Sequence, residues 1–112
     1  GVENRMSVYG NTGIKQRVID EICQYAKACD IQKIILFGSR ARGDYKERSD
    51  IDLAVTGGDY NQFFLLVEEE TSTLLKYDIV NLDASVQQEL LQSIQKEGIS
   101  KFETIPPRLE TK

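Results

Sequence analysis

The sequence predicts one α/β domain, with helices packed on a mixed four-stranded sheet. Three observations carry that reading. Segments whose apolar residues recur every three or four positions alternate with short runs of strand formers, helix then strand, along the whole chain. Glycine-bearing or polar turns stop each run. The length of 112 residues, with 40% hydrophobic and 29% charged side chains, suits a single core.

The first helix is predicted from Ile14 to Cys29, after a polar Asn11-Thr12-Gly13 start. Its stripe of Ile14, Val18, Ile22, Tyr25, Ala26 and Cys29 faces the core. Ile34-Ile35-Leu36-Phe37 is a continuous apolar run stopped by Gly38, as in a strand covered on both faces. The stretch Gly38 to Gly43 turns the chain through a short helix. Ile51 to Val55 alternates and exits at Gly57-Gly58, which marks a second strand. Asp59 with Gln62 forms a capping-box pattern for a helix bearing Phe63, Phe64, Leu66 and Val67. Tyr77 to Leu82 reads as the third strand. Ser85 with Gln88 suggests another capping box, Val86, Leu90, Leu91 and Ile94 a buried face, and Gly98 the helix end. A fourth, shorter strand is expected from Ser100 to Ile105.

Met6 would make a natural start, so residues 1–5 are set aside as an expression remnant. The domain is placed at residues 6–105 and a flexible tail, with two prolines, at residues 106–112. No apolar run approaches the roughly 20 residues that cross a bilayer, so a cytoplasmic protein is expected. A net charge of −4 disfavours a long nucleic-acid substrate. There is no histidine, which removes Ser-His and Cys-His machinery and His-containing zinc sites. Cys23 and Cys29 lie too far apart along a helix to pair and read as idle thiols. Any chemistry therefore falls to carboxylates, hydroxyls and cations.

Those groups gather in Gly38-Ser39, ten intervening residues, then Asp50-Ile51-Asp52. On a strand, positions two apart share a face, so Asp50 and Asp52 present paired carboxylates while Ile51, Leu53 and Val55 point into the core. Like charges so placed repel one another until a divalent cation neutralises them, and hard oxygen donors suit Mg²⁺ or Mn²⁺. A two-metal site of this kind can clamp a triphosphate during in-line displacement. Gly38 allows close backbone approach to phosphate, Ser39 opens the following turn, and Arg40, Arg42 and Lys46 are candidate cations. Arg48 reads equally as a phosphate contact or a solvated charge. Glu68-Glu69-Glu70 reads as a solvated helix face. Gly-Ser alone would be an ordinary turn and Asp-x-Asp alone a charged loop; the joint spacing between two strands favours a site.

The run GSRARGDYKERSDIDLAV resembles the signature of the DNA polymerase β-like nucleotidyltransferase superfamily, and the chain's size resembles its minimal branch. The similarity runs from about Ile34 to Asp83. The resemblance implies that Gly38 and Ser39 bind the triphosphate and that Asp50 and Asp52 ligate two metal ions. It also implies a third carboxylate on a neighbouring strand, which completes the site and activates the attacking hydroxyl. Asp78 in KYDIV matches that position. Asp83 has the opposite strand parity and sits where it could cap a helix. The minimal branch includes antitoxins paired with HEPN-domain toxins, and companions of helical substrate-binding proteins. AMP transfer from ATP to a tyrosine of such a partner is therefore expected. A small-molecule nucleotidyltransferase resembling the aminoglycoside-modifying enzymes, and an antitoxin acting by binding alone, are the alternatives. Larger members carry a second domain for base and acceptor, for which 112 residues leave no room. A second polypeptide should complete the site, and self-association is left open.

Overall fold

The computed structural model describes residues 12–98. In chain order the elements are α1 (Gln16–Ala28), β1 (Lys33–Phe37), α2 (Ser39–Arg42), β2 (Ile51–Thr56), α3 (Tyr60–Glu70), β3 (Tyr77–Asn81) and α4 (Gln88–Glu97). The sheet order is β1-β2-β3, with β1 antiparallel to β2 and β2 parallel to β3. The parallel pair is joined through α3, as the long crossover between parallel strands requires. The sheet is mixed, as expected, but three-stranded among the described residues; the expected strand at Ser100–Ile105 lies outside them, as do residues 1–5 and the tail.

The period-2 alternation sorts the strands into two unlike faces. On one, Ile34, Leu36, Ile51, Leu53, Val55 and Ile79 bury against Val18, Ile22 and Ala26 of α1 and Phe63 and Val67 of α3. Complete burial of a side chain such as Leu53 or Phe63 contributes about 1.5–3 kcal/mol. The other face has a smaller cluster of Phe37, Ala54 and Ile94, with Ile35, Val80, Leu82 and Leu90 partly buried around it. Helix α4 supplies that cover through Ile94 and Leu90, and the rest of the face is left to polar groups.

Polar ties hold β3 in place. Glu21 of α1 accepts from the Ser72 N–H at 2.7 Å and from its hydroxyl at 2.6 Å, anchoring the approach to the strand. The Tyr60 hydroxyl donates to the Ile79 carbonyl at 2.7 Å. Asp59 caps α3 as expected, accepting from the Gln62 N–H at 3.2 Å.

The C-terminal helix departs from expectation. Helix α4 starts at Gln88 behind Gln87, with no side-chain cap, so Ser85 does not close a capping box. Gly98 ends it with φ −68° and ψ 145°, which is extended backbone and not the left-handed C′ geometry. Asp83 caps no helix either. It accepts from the Thr56 hydroxyl at 2.6 Å and the Gly57 N–H at 2.7 Å, clamping the exit turn of β2, and those bonds hold its carboxyl below the usual range.

Candidate functional site

The polar part of the second sheet face is built by strand register. Phe37 pairs with Asp52, and Asp52 pairs with Asp78 across the parallel ladder. Directly paired residues project on the same side, so Asp52 and Asp78 stand next to each other on adjacent strands. Asp50 comes just before β2, where the Ile51 N–H donates to the Lys76 carbonyl at 2.9 Å and fixes the strand's entry against β3. Asp83 stays at the far end, on the Thr56–Gly57 turn.

Asp52 registers this crowding. Its carboxyl is pushed up to about 6, first by partial burial and then by the charges of Asp78 and Asp50, with Arg42 and Arg40 offsetting only part. Gly38 is the other structural fact at this point. Its φ is +77°, and a Cβ there would collide with the Asp52 carboxylate. Only glycine both adopts that conformation readily and admits the close approach. Residues fourteen apart in sequence thus meet, and Ser39 follows Gly38 as the first residue of α2.

The four expected nucleotide-binding residues separate into two groups. Gly38 lies against Asp52 with Ser39 next to it in the chain, while Arg42 is exposed and pairs with Asp44 at 3.2 Å. Arg40, expected on phosphate, is corrected: it is 2% exposed and spends its donors on backbone carbonyls. Its Nε bonds the Ser49 oxygen at 3.0 Å, Nη1 the Thr12 oxygen at 2.9 Å, and Nη2 the Glu47 oxygen at 3.2 Å. A cation in this position cannot also reach solvent to hold a triphosphate. Lys46 and Arg48 lie exposed on the loop leading to Asp50. Asp78 forms no ion pair with Lys76.

The donor set suits a hard divalent cation, because hard carboxylate oxygens whose charges act on one another are what such an ion neutralises. Among the described residues, however, no group of three or more His, Cys, Asp and Glu side chains converges as a ready-made metal cage. The carboxylates are coupled electrostatically without closing on one point.

A cleft of about 670 Å³ opens beside Asp50, lined by Glu47, Arg48, Asp50, Leu74, Leu75 and Lys76. Leu74 is fully exposed at its wall. Sequence reading passed over this Leu-Leu pair, although its lack of helical or strand period before KYDIV was the available signal. It also passed over the loop-bracing role of Arg40, for which an arginine flanked by other cations gives no signal.

Known proteins resemble this chain in sequence and in fold. A candidate protein adenylyltransferase of Methanocaldococcus jannaschii is 49% identical over 61 residues, which cover 54% of this chain and 58% of that one. The chain therefore spans under two thirds of that relative's length. A crystal structure described as a toxin-antitoxin with AMP-PNP superposes with a TM-score of 0.57 at 22% identity, covering 82% of this chain and 76% of its own. A double aspartate-to-glutamate mutant of the toxin-antitoxin MntA-HpeT gives 0.58 at 24% identity, covering 72% of this chain and 69% of its own. Both likenesses support the fold. The sequence model described as polymerase beta, nucleotidyltransferase matches residues 18–104, taking in the glycine turn and all three aspartates, so the chain belongs to the polymerase β nucleotidyltransferase family.

Proposed function

We propose that this chain is a divalent-metal-dependent nucleotidyltransferase that moves AMP from ATP to a hydroxyl of a protein partner, a tyrosine of a helical HEPN-type toxin. The observation that carries the reading is Asp52, held against Gly38 and raised toward neutrality by partial burial and then by the charges of Asp78 and Asp50. Two Mg²⁺ or Mn²⁺ ions held by Asp50, Asp52 and Asp78 would neutralise that repulsion and polarise the triphosphate. Gly38 and Ser39 would lie along the phosphates, with Arg42 adding charge. The acceptor oxygen attacks the α-phosphorus, the bond to pyrophosphate breaks, and the acceptor's proton passes to a carboxylate, for which Asp78 is the proposed base. Pyrophosphate leaves with the displaced oxygen.

The choice of AMP and of a protein acceptor is supported by the M. jannaschii relative, whose name is that of a protein adenylyltransferase. Toxin-antitoxin partnership is supported by the two structural neighbours, one of them with an ATP analogue. An acceptor presented by a bound partner chain would gain the proximity and orientation that transfer requires. No described helix is long and apolar enough to cross a membrane. The carboxylates that do not converge favour one second reading, an antitoxin that acts by occlusion.

The test is intact-mass spectrometry of the chain mixed with the product of its neighbouring gene, ATP and Mg²⁺. The partner should gain one or more AMP units, and Asp78→Asn should suppress the gain while the complex still forms. A stable complex with no mass increase would replace transfer by occlusion.

A further inference from the structure

Arg40 is among the largest fully buried side chains of the described core, and among the described residues it has no carboxylate partner. Burying a guanidinium is costly unless its donors are satisfied, so the site must repay that cost in hydrogen bonds. Four backbone carbonyls answer it: Thr12, Ser49 and Glu47 within 3.2 Å, and Lys46 at 3.5 Å. The guanidinium carbon also sits 4.7 Å from the centroid of the Tyr45 ring, a cation-π contact.

Three of those carbonyls belong to one loop. The loop closes on itself, since the Ser49 N–H donates to the Lys46 carbonyl at 3.0 Å and the Lys46 N–H to the Ser49 hydroxyl at 2.8 Å. Asp50 is the next residue. The fourth carbonyl, Thr12, comes from the turn before α1. Gly13 beside it, at φ +73°, leaves no space for a Cβ, which would lie 2.5 Å from the Tyr45 ring and 2.7 Å from Arg40 Nη1. The N-terminal turn, the Tyr45 ring and the loop are therefore packed around a single side chain.

We propose that Arg40 is a positioning residue. It braces the loop at Lys46–Ser49 against the Thr12 turn, and so fixes where Asp50 stands relative to Asp52. A planar fork of five N–H donors can serve four carbonyls at fixed angles, whereas an ammonium is a point charge with three donors and cannot hold the same frame. The brace matters for activity only if the aspartates are the reacting site, so that part rests on the function proposed above.

Arg40→Ala, Arg40→Lys and Gly13→Ala in the full chain test it. Amide hydrogen exchange should accelerate about tenfold or more at Lys46–Asp50 in Arg40→Ala, while Ile34–Leu36 in β1 stays within about twofold. Mn²⁺ affinity, titrated with the metal alone, should fall about tenfold. In AMP transfer, kcat should fall on the order of a hundredfold with KM for ATP within about threefold, the pattern of lost positioning. Tens of millimolar guanidinium should restore part of the loss in Arg40→Ala, and Arg40→Lys should fall between. Should Arg40→Ala not fold, Gly13→Ala displaces the brace with the guanidinium still present, and the same exchange pattern is expected from it. Exchange that rises equally across all three strands, or a raised KM with kcat unchanged, would overturn the proposal in favour of a core or phosphate-binding role. If the wild-type chain transfers no AMP, the function fails, and exchange and Mn²⁺ affinity still decide the brace.

Discussion

The two faces of the sheet solve opposite problems. Toward α1 and α3, Ile34, Leu36, Ile51, Leu53 and Val55 are all at most 2% exposed, and no charge interrupts them. Toward α4, the same strands carry Asp52 and Asp78 side by side, with apolar cover only around Phe37, Ala54 and Ile94. One face stabilises the fold, and the other stores repulsion that the first offsets. Alternating side chains on β2 serve both: Leu53 belongs to the core and Asp52 to the site. Function and stability should therefore separate cleanly on a single strand.

The largest effect expected from that separation is on transfer. Asp50→Asn and Asp52→Asn should each lower AMP transfer on the order of a thousandfold or more with the fold intact, read by intact mass and far-UV circular dichroism. Full activity in either variant, with Mg²⁺ present, would break the contrast. On the opposite face, Leu53→Ala should cost about 2–5 kcal/mol in urea unfolding, because it opens a cavity in the fully packed layer.

A smaller effect sharpens the comparison through pH. Asp52 has its ordinary value of 3.8 raised to about 6 in the folded chain, so the native state holds the proton more tightly than the unfolded one. Without divalent cations, the Asp52 contribution to stability should then be most favourable below about pH 4, fall as pH rises toward about 6, and level off above it. Asp52→Asn should remove this slope and gain about 1 kcal/mol at pH 7.5, a figure reduced for the group's partial exposure. Parallel unfolding curves at pH 4 and 7.5 check both signs. Smallest of all, Leu74→Ser should change stability by less than about 0.5 kcal/mol, because its side chain is fully exposed and buries nothing.

Much of this was legible in the sequence wherever one physical pattern dominated. The stripe of Val18, Ile22 and Ala26 and the alternation of Ile51, Leu53 and Val55 each have a single period and fold as read. The parity argument for Asp78 over Asp83 also agrees with the register, which pairs Asp78 with Asp52 and leaves Asp83 on the Thr56–Gly57 turn. What sequence could not supply was the choice among equivalent partners. Ser85 has the chemistry of a cap, yet α4 begins two residues beyond the start that cap implies. Arg40 and Arg42 are both plausible phosphate ligands as text. Only the path of the loop decides that one is buried under Ser49 and the other exposed beside Asp44.

The central claim is that the aspartate face is a metal-triphosphate site, and calorimetric titration of ATP tests it most directly. With Mg²⁺ the wild-type chain should bind ATP, and with excess chelator the affinity should fall at least about tenfold, because the carboxylates then repel the phosphates. Asp52→Asn should lose most of that Mg²⁺ dependence. Equal affinity for ATP with Mg²⁺ and with chelator, in the wild-type chain, would contradict the account.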